Sequence, residues 1–253
     1  MMNTRLILPL LLTLLALQAC VSTPKEGESR QKAAQYNAQL GLNYMNRQGD
    51  LEQARIKLER ALEQDDSNPL AHAAYAQLQA RVGNPQRAER HFKKAIDLEP
   101  LNAANNNAYG VFLCSRNRVD EAIEQFETAV DNRYYKTPEQ ALDNAGICLL
   151  EAGRMAGAEA YLARAVKANP RYSPTLLNLT ELNLKAGRLT LADAYYNRYE
   201  KVGKTSPRSL LLGYRVRNAQ GDVAGARSLS NTLLSRFPQS EEAGELLTSG
   251  IDD

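Results

Sequence analysis

The chain has 253 residues, with 31 Lys and Arg against 29 Asp and Glu and only two histidines. That near-balance, with no concentrated basic stripe, excludes nucleic acid as an expected partner. The cysteines are Cys20, Cys114 and Cys148, an odd number in which the first stands apart from the other two.

Residues 1–19 read as a targeting segment. Arg5 supplies a short positive start, and Leu6 to Leu17 is an almost unbroken apolar run that contains Pro9. A membrane span needs about 20 apolar residues, so this run fits the apolar region of a signal peptide. Ala19 followed at once by Cys20 resembles the bacterial lipoprotein signal, although Gln18 departs from the small residue usual there. The resemblance implies cleavage before Cys20 and acylation of its thiol and new amino terminus, palmitate included. Each buried methylene contributes about 0.8 kcal/mol, so two or three chains hold a protein firmly on a bilayer. Val21 stands where an aspartate would resemble the inner-membrane retention signal, which favours a periplasm-facing place on the outer membrane. An ordinary secretory peptide with a coincidental cysteine is the bland reading. Residues 20–30 are expected to be the lipidated N-terminus and a flexible tether, with Ser22 to Glu28 polar and containing Pro and Gly.

From Gln35 onward the pattern is helical, and it repeats. Ala54, Ala88, Ala122, Ala158, Ala192 and Ala226 follow one another at spacings of 34, 34, 36, 34 and 34. Gly49, Gly83, Asn117, Gly153, Gly187 and Gly221 keep the same step. A fixed period of this size means a stack of similar units, each touching its neighbours. The second unit shows the grammar. Leu70 to Arg81 makes a first helix, Gly83-Asn84 a turn, and Gln86 to Leu98 a second helix with Pro85 at its start. Pro100 stops it. Small Ala88 and Ala95 allow close helix approach around bulky Phe92, and Ala122, Phe126 and Ala129, then Ala158, Leu162 and Ala165, take the same roles.

These residues, with Tyr109-Gly110 and Ala145-Gly146, resemble the tetratricopeptide repeat. The implied fold is an all-α superhelical solenoid of six helical hairpins with a short C-terminal capping helix. Repeats are expected at about 35–68, 69–102, 103–136, 139–172, 173–206 and 207–238, within a solenoid over 31–253. The cap, 239–250, centres on Glu241 to Leu247. The first unit matches through Gly49, Ala54, Leu58 and Ala61, with Leu40-Gly41 one residue out of register. Units five and six drift, placing Tyr196 and Tyr199, then Ser230 and Leu233, at the bulky and small positions. The two-residue excess between units three and four, around Arg133 to Pro138, is a longer loop and a candidate contact surface.

A search for chemistry finds none. His72 and His91 lie in no metal-ligand spacing, and no phosphate loop or nucleophile–base arrangement is visible. Neither catalytic nor metal-binding residues, nor a cofactor, are expected. Cys114 and Cys148 could bridge in an oxidising compartment. Their apolar surroundings favour free buried thiols, which behave as small hydrophobes.

What such a stack offers is a groove lined by the first helix of each hairpin. By register the lining includes Tyr36, Leu40 and Tyr44 in unit one, Leu70 in unit two, and Asn107, Val111, Asn144, Ile147, Asn178 and Glu181 further on. Asparagine can satisfy both the N–H and the C=O of an extended peptide. Asn144 and Asn178, 34 residues apart, would form a ladder; bonds between helices are the alternative use of these side chains. Tyr36, Leu40, Leu42, Tyr44 and Met45 supply more apolar surface than one hairpin can bury, either as cover for a missing neighbour or as an exposed groove for a partner helix or strand.

The stretches from Asn106 to Cys114 (Asn-Asn-Ala-Tyr-Gly-Val-Phe-Leu-Cys) and Thr137 to Cys148, behind a lipoprotein signal, resemble the type IV pilus biogenesis lipoproteins of the PilF/PilW type. Ala108 interrupts the closest form of the first stretch. The resemblance implies a pilotin: a non-enzymatic monomer, anchored through Cys20, that binds pilus secretin subunits and promotes their outer-membrane localisation and multimerisation, and with it twitching motility. The alternative is a lipoprotein of the outer-membrane β-barrel assembly machinery or a periplasmic cell-wall adaptor.

Overall fold

The computed structural model describes residues 26–248, which form thirteen α-helices and one π-helical turn, with no strand among them. Cys20 and the signal segment lie outside the described residues. The chain divides into two compact units, residues 1–74 and 75–253, with the boundary inside one helix.

In the first unit, α1 (Glu26–Asn43) runs into a π-helical turn (Tyr44–Gln48) and folds back against α2 (Leu51–Gln64). Helix α1 begins inside the stretch whose composition suggests a tether, so residues 26–30 are helix instead. Glu26 and Glu28 occupy its first turn, where negative charge complements the helix dipole. Asp50 caps α2 by accepting from the Gln53 amide at 2.9 Å. Ala54, Leu58 and Ala61 form its buried stripe, and Gly41 lies directly over Leu58. The register slip of this unit has a structural form. One residue more separates Gly41 from Gly49 than separates Gly110 from Asn117, and the surplus is taken up by widening the last turn of the first helix into a π-turn.

The second unit contains the later part of α3 (Pro69–Arg81), then α4 (Pro85–Leu98), α5 (Ala103–Ser115), α6 (Val119–Asp131), α7 (Pro138–Glu151), α8 (Met155–Ala168), α9 (Ser173–Lys185), α10 (Leu189–Glu200), α11 (Pro207–Ala219), α12 (Val223–Arg236) and α13 (Glu241–Thr248). Each hairpin turns on one residue in the left-handed region: Gly83, Asn117, Gly153, Gly187 and Gly221. Asn117 manages this at φ 58° because its short polar side chain tolerates that region. The residue after each turn donates back to the carbonyl five earlier, as from Arg154 N to Leu149 O at 2.8 Å and from Arg188 N to Asn183 O at 2.8 Å. This satisfies carbonyls that the helix end would leave bare. The turn residues and the buried stripe of each second helix thus fall where the repeat places them.

Bulk and space are matched along the stack. Gly110 lies against the Phe126 ring and Gly146 against Leu162. The larger Tyr196 and Tyr199 are accommodated by Gly213 and Gly203, and the Tyr199 hydroxyl donates to the Lys204 carbonyl. Phe92, Tyr109 and Phe112 stack with ring centroids 5.2–6.2 Å apart. Arginines after the turns reach back to the preceding second helix, Arg118 to Glu89 at 2.8 Å and Arg188 to Glu159 at 2.9 Å. Helix α13 does cap the stack: Ala243 and Leu246 are buried against Leu210, Leu211 and Leu233. In the longer loop between α6 and α7, Asn132 Nδ2 donates to the Leu101 carbonyl at 2.7 Å, while Tyr134 stands 82% exposed.

Candidate functional site

Two surfaces emerge, one in each unit. On the first, Tyr36 and Leu40 lie one helical turn apart on α1, Tyr36 65% exposed and Leu40 half-buried. Tyr44 opens the π-turn, half-buried, and its carbonyl accepts from the amides of Gly49 and Asp50. Met45 is buried and serves the hairpin's own packing. Leu70 packs against the cluster of Ala38, Ala61 and Ala71, which makes it part of the core and takes it out of a free lining. The apolar side chains left accessible here are therefore fewer than the sequence suggests: Tyr36 and Leu40 on regular α-helix, and Tyr44 at the start of the π-turn.

The second surface is built by the first helices α5, α7, α9 and α11. Two adjoining cavities open on it. One, about 200 Å³, is lined by Val111, Cys114, Phe126, Asn144, Ile147 and Cys148 among others. The other, about 320 Å³, is lined by Ile147, Leu150, Glu151, Asn178, Glu181, Lys185 and Arg208. Ile147 and Glu151 border both. Val111, Ile147 and Glu181 thus lie where the repeat register puts them.

The asparagines do something else. Asn144 Nδ2 donates to Asn107 Oδ1 at 3.0 Å, and both remain half-buried. Asn178 is only 2% exposed; its Nδ2 donates to Asp143 Oδ1 at 2.8 Å and its Oδ1 accepts from Arg208 Nη2 at 2.7 Å. Asn144 and Asn178 are therefore engaged in bonds between helices, and Asn178 sits almost wholly buried in the wall of the larger cavity. The reason is geometric. Neighbouring helices pack with inclined axes, so the residues that meet are not register equivalents. Asn144 and Asn107 are 37 apart in sequence, and Asn178 and Asp143 are 35 apart.

The same geometry corrects the reading of the cysteines. Cys114 and Cys148 are joined in a disulfide, Cα atoms 5.7 Å apart, and are not free thiols. Although they occupy different positions in their repeats, the packing of α5 beside α7 brings them together, and the bridge lines the smaller cavity.

Asp143, buried to 3% exposure, accepts from Thr175 Oγ1 at 2.8 Å as well as from Asn178, yet burial still pushes its carboxyl above the usual carboxylate range. Glu181 bonds Lys185 Nζ and Arg208 Nη2, both at 2.8 Å. Burial pushes the Glu181 carboxyl up, but its two cationic partners outweigh that and hold it below its ordinary value. Asp143 and Arg208 escape a sequence reading. Asp143 looks like any helix-surface acid beside Asn144, while Arg208 could be placed in a first turn by the Ser206-Pro207 start signal but not aimed.

Elsewhere, His72 Nε2 lies 2.8 Å from the Asp66 carbonyl oxygen, and the His91 ring packs edge-on against Tyr75. No helix among the described residues is long and apolar enough to cross a membrane.

Comparison with known proteins agrees with this architecture. Tetratricopeptide-repeat profiles match residues 46–103, 74–136, 115–174 and 149–212. The type IV pilus assembly protein PilF of Pseudomonas aeruginosa is 31% identical over 221 residues, 87% of each chain. The solved structure of PilW, described as a widely conserved type IV pilus biogenesis factor, superposes with a TM-score of 0.74 at 35% identity, covering 85% of this chain and 98% of PilW. The solved P. aeruginosa PilF superposes with a TM-score of 0.74 at 31% identity, covering 88% of this chain and all of PilF. With identity spread over nearly the full length of both relatives and the same helical stack beneath it, the chain belongs to the PilF/PilW family of tetratricopeptide-repeat type IV pilus biogenesis proteins.

Proposed function

We propose that, within type IV pilus biogenesis, this protein is a pilotin: a non-enzymatic adaptor that binds secretin subunits and promotes their multimerisation in the outer membrane. The observation that carries the proposal is the full-length relation to PilF and PilW. Acylated Cys20 supplies the destination, on the periplasmic face of the outer membrane. The grip is Tyr36, Leu40 and Tyr44, spaced four residues apart along the first helix and ending at the π-turn, a departure from α-geometry of the kind often found at functional sites. An apolar helix or strand of the secretin held there stays shielded until the pore assembles.

Two measurements test this. Leu40→Asp or Tyr44→Asp should abolish secretin multimers in membrane fractions while the variant stays folded and membrane-located; normal multimers would rule out this surface. Affinity isolation of the lipidated protein from detergent-solubilised membranes should recover secretin. Recovery of barrel-assembly components in its place would overturn the pilotin reading.

A further inference from the structure

In the second unit α5, α7, α9 and α11 pack side by side, each followed by its antiparallel second helix. The loops that enter them therefore lie along one edge of the unit, and the hairpin turns along the other. The two edges are charged differently. Residues 132–137, 169–172 and 201–206 contain Arg133, Lys136, Arg171, Lys201 and Lys204, all exposed, and no acidic residue. Among the described residues these five side chains make no hydrogen bond or ion pair. The acids nearest to them in sequence are Asp131, Glu139 and Glu200. Glu139 is buried and accepts from Asn169 Nδ2 at 3.1 Å, and Glu200 lies 3.5 Å from Arg217 Nη2. That leaves Asp131 exposed at the flank. On the opposite edge the arginine after each turn is spoken for: Arg118 by Glu89, Arg154 by Asp120 and Arg188 by Glu159. Cations of the hairpin-turn edge tie the stack together, and those of the loop edge do not.

The same edge carries an apolar pair. Asn132 donates through Nδ2 to the Leu101 carbonyl at 2.7 Å and accepts at Oδ1 from the Tyr134 amide at 2.9 Å. Its own carbonyl accepts from the Tyr135 amide, and the Tyr135 ring turns inward against the core. Fastened in this way, the loop holds Tyr134 outward at 82% exposure. Leu101, itself 72% exposed, lines the same cleft of about 460 Å³. A tyrosine has an apolar body and a polar tip, which suits the level of lipid headgroups, and an aliphatic neighbour reaches the acyl boundary beneath.

We infer that this edge rests on a bilayer: the loops before α7, α9 and α11 bind the headgroups of anionic phospholipids, with Tyr134 and Leu101 dipping into the interface beside them. The cations are spread over three loops and ordered by no partner. That suits a diffuse field of negative charge better than a shaped protein surface, which would have to immobilise each long side chain separately. Each Lys or Arg brought to an anionic surface strengthens binding about fivefold. The contact orients the second unit, its loop edge at the membrane and its hairpin turns away. It requires neither an acyl chain nor a secretin, so it stands or falls apart from the pilotin proposal.

The test is flotation of the mature chain with Cys20→Ser, which carries no acyl group, on vesicles of phosphatidylcholine alone or with about 30% phosphatidylglycerol. Binding to the anionic vesicles should be at least about tenfold tighter at low salt and should be lost at about 0.5 M salt. Arg133→Glu/Lys136→Glu and Lys201→Glu/Lys204→Glu should each weaken it by about tenfold or more. Leu101→Ser/Tyr134→Ser should weaken it several-fold and leave its salt dependence in place. Arg90→Glu/Lys94→Glu makes the same change of net charge at exposed positions of α4 and should leave binding within about twofold of the parent. All these side chains are exposed, so the circular dichroism spectrum should not change. Equal binding to neutral and anionic vesicles overturns the assignment, as does a loss in the α4 variant as large as in the loop variants. A chain that floats with neither vesicle also overturns it, and one that then binds polyglutamate through these loops has a protein-binding edge in place of a lipid-binding one.

Discussion

Adding one methyl group at Gly110 and at Gly244 should move stability in opposite directions. Both glycines are inside helices, so alanine gains about 1 kcal/mol of helix propensity at either site. At Gly244, on α13, the new Cβ meets no atom within 4 Å, and that gain stands alone. At Gly110 the new Cβ would lie 2.7, 2.8 and 3.0 Å from three atoms of the Phe126 ring. Carbon atoms rest at about 3.5–4.0 Å, so the ring must retreat by roughly 1 Å. Phe126 is 1% exposed and packed among Ala122, Ala129 and Tyr109, so to retreat the ring must displace those neighbours or push into the small cavity it borders. Overpacking of this kind costs about 1–3 kcal/mol, and with three ring atoms met at once it falls in the upper part of that range. The net expectation is a loss of about 1–2 kcal/mol for Gly110→Ala and a gain of up to about 1 kcal/mol for Gly244→Ala. The chain has no tryptophan, so urea unfolding is best followed by far-ultraviolet circular dichroism. A Gly110→Ala protein as stable as the parent would show that the ring yields freely and that glycine against the bulky residue is not a packing requirement.

Two further outcomes follow from the second unit. The bridge between Cys114 and Cys148 closes a sequence separation of 34, worth about 3–4 kcal/mol on a chain-entropy estimate. Cys114→Ala/Cys148→Ala should therefore lower the unfolding midpoint and make it insensitive to dithiothreitol, while the parent falls to the variant's level on reduction; a parent indifferent to reductant would remove the bridge from the stability account. Asp143→Asn tests the buried acid by pH. Because the folded carboxyl binds its proton more tightly than the unfolded one, the folded state loses relative stability as pH rises past the ordinary value of 3.8. The variant lacks this loss, so its melting temperature should gain on the parent between about pH 4 and 7 and match it most closely in acid. An advantage that is constant with pH would refute the reasoning.

Gly83, Ala88, Phe92, Ala95 and Pro100 were enough to read the hairpins, their turns and their buried stripes, because each residue type answers a local need that recurs every 34 positions. The signals for a helix end and a close approach act within a few residues, so they survive without knowledge of the neighbours. What stayed hidden was set between repeats. Asn144 and Asn178 share a register position, yet the inclination of the packed helices pairs them with Asn107 and Asp143. Cys114 and Cys148, at different register positions, meet for the same reason. The slip at Leu40-Gly41 was visible as an anomaly, but its form as a π-turn depends on Gly41 being held over Leu58. Composition alone reads Ser22 to Glu28 as polar and broken, whereas Glu26 and Glu28 occupy the first turn of a helix.

That early start of α1 fixes a length scale. Between Cys20 and Glu26 stand five residues, Val21 to Lys25, and whatever path they take the two ends cannot be more than about 22 Å apart. The helix that follows has 18 residues and is a stiff strut about 27 Å long. With Cys20 in the bilayer as proposed, Tyr36 and Leu40 ride on that strut, Tyr44 follows its last residue, and all three stay within reach of the membrane. A leash this short holds two tethered binding partners at an effective concentration in the millimolar range. On the proposed reading, modest affinity at this surface suffices for a secretin subunit already at the membrane, and the same subunit free in the periplasm would be held only weakly.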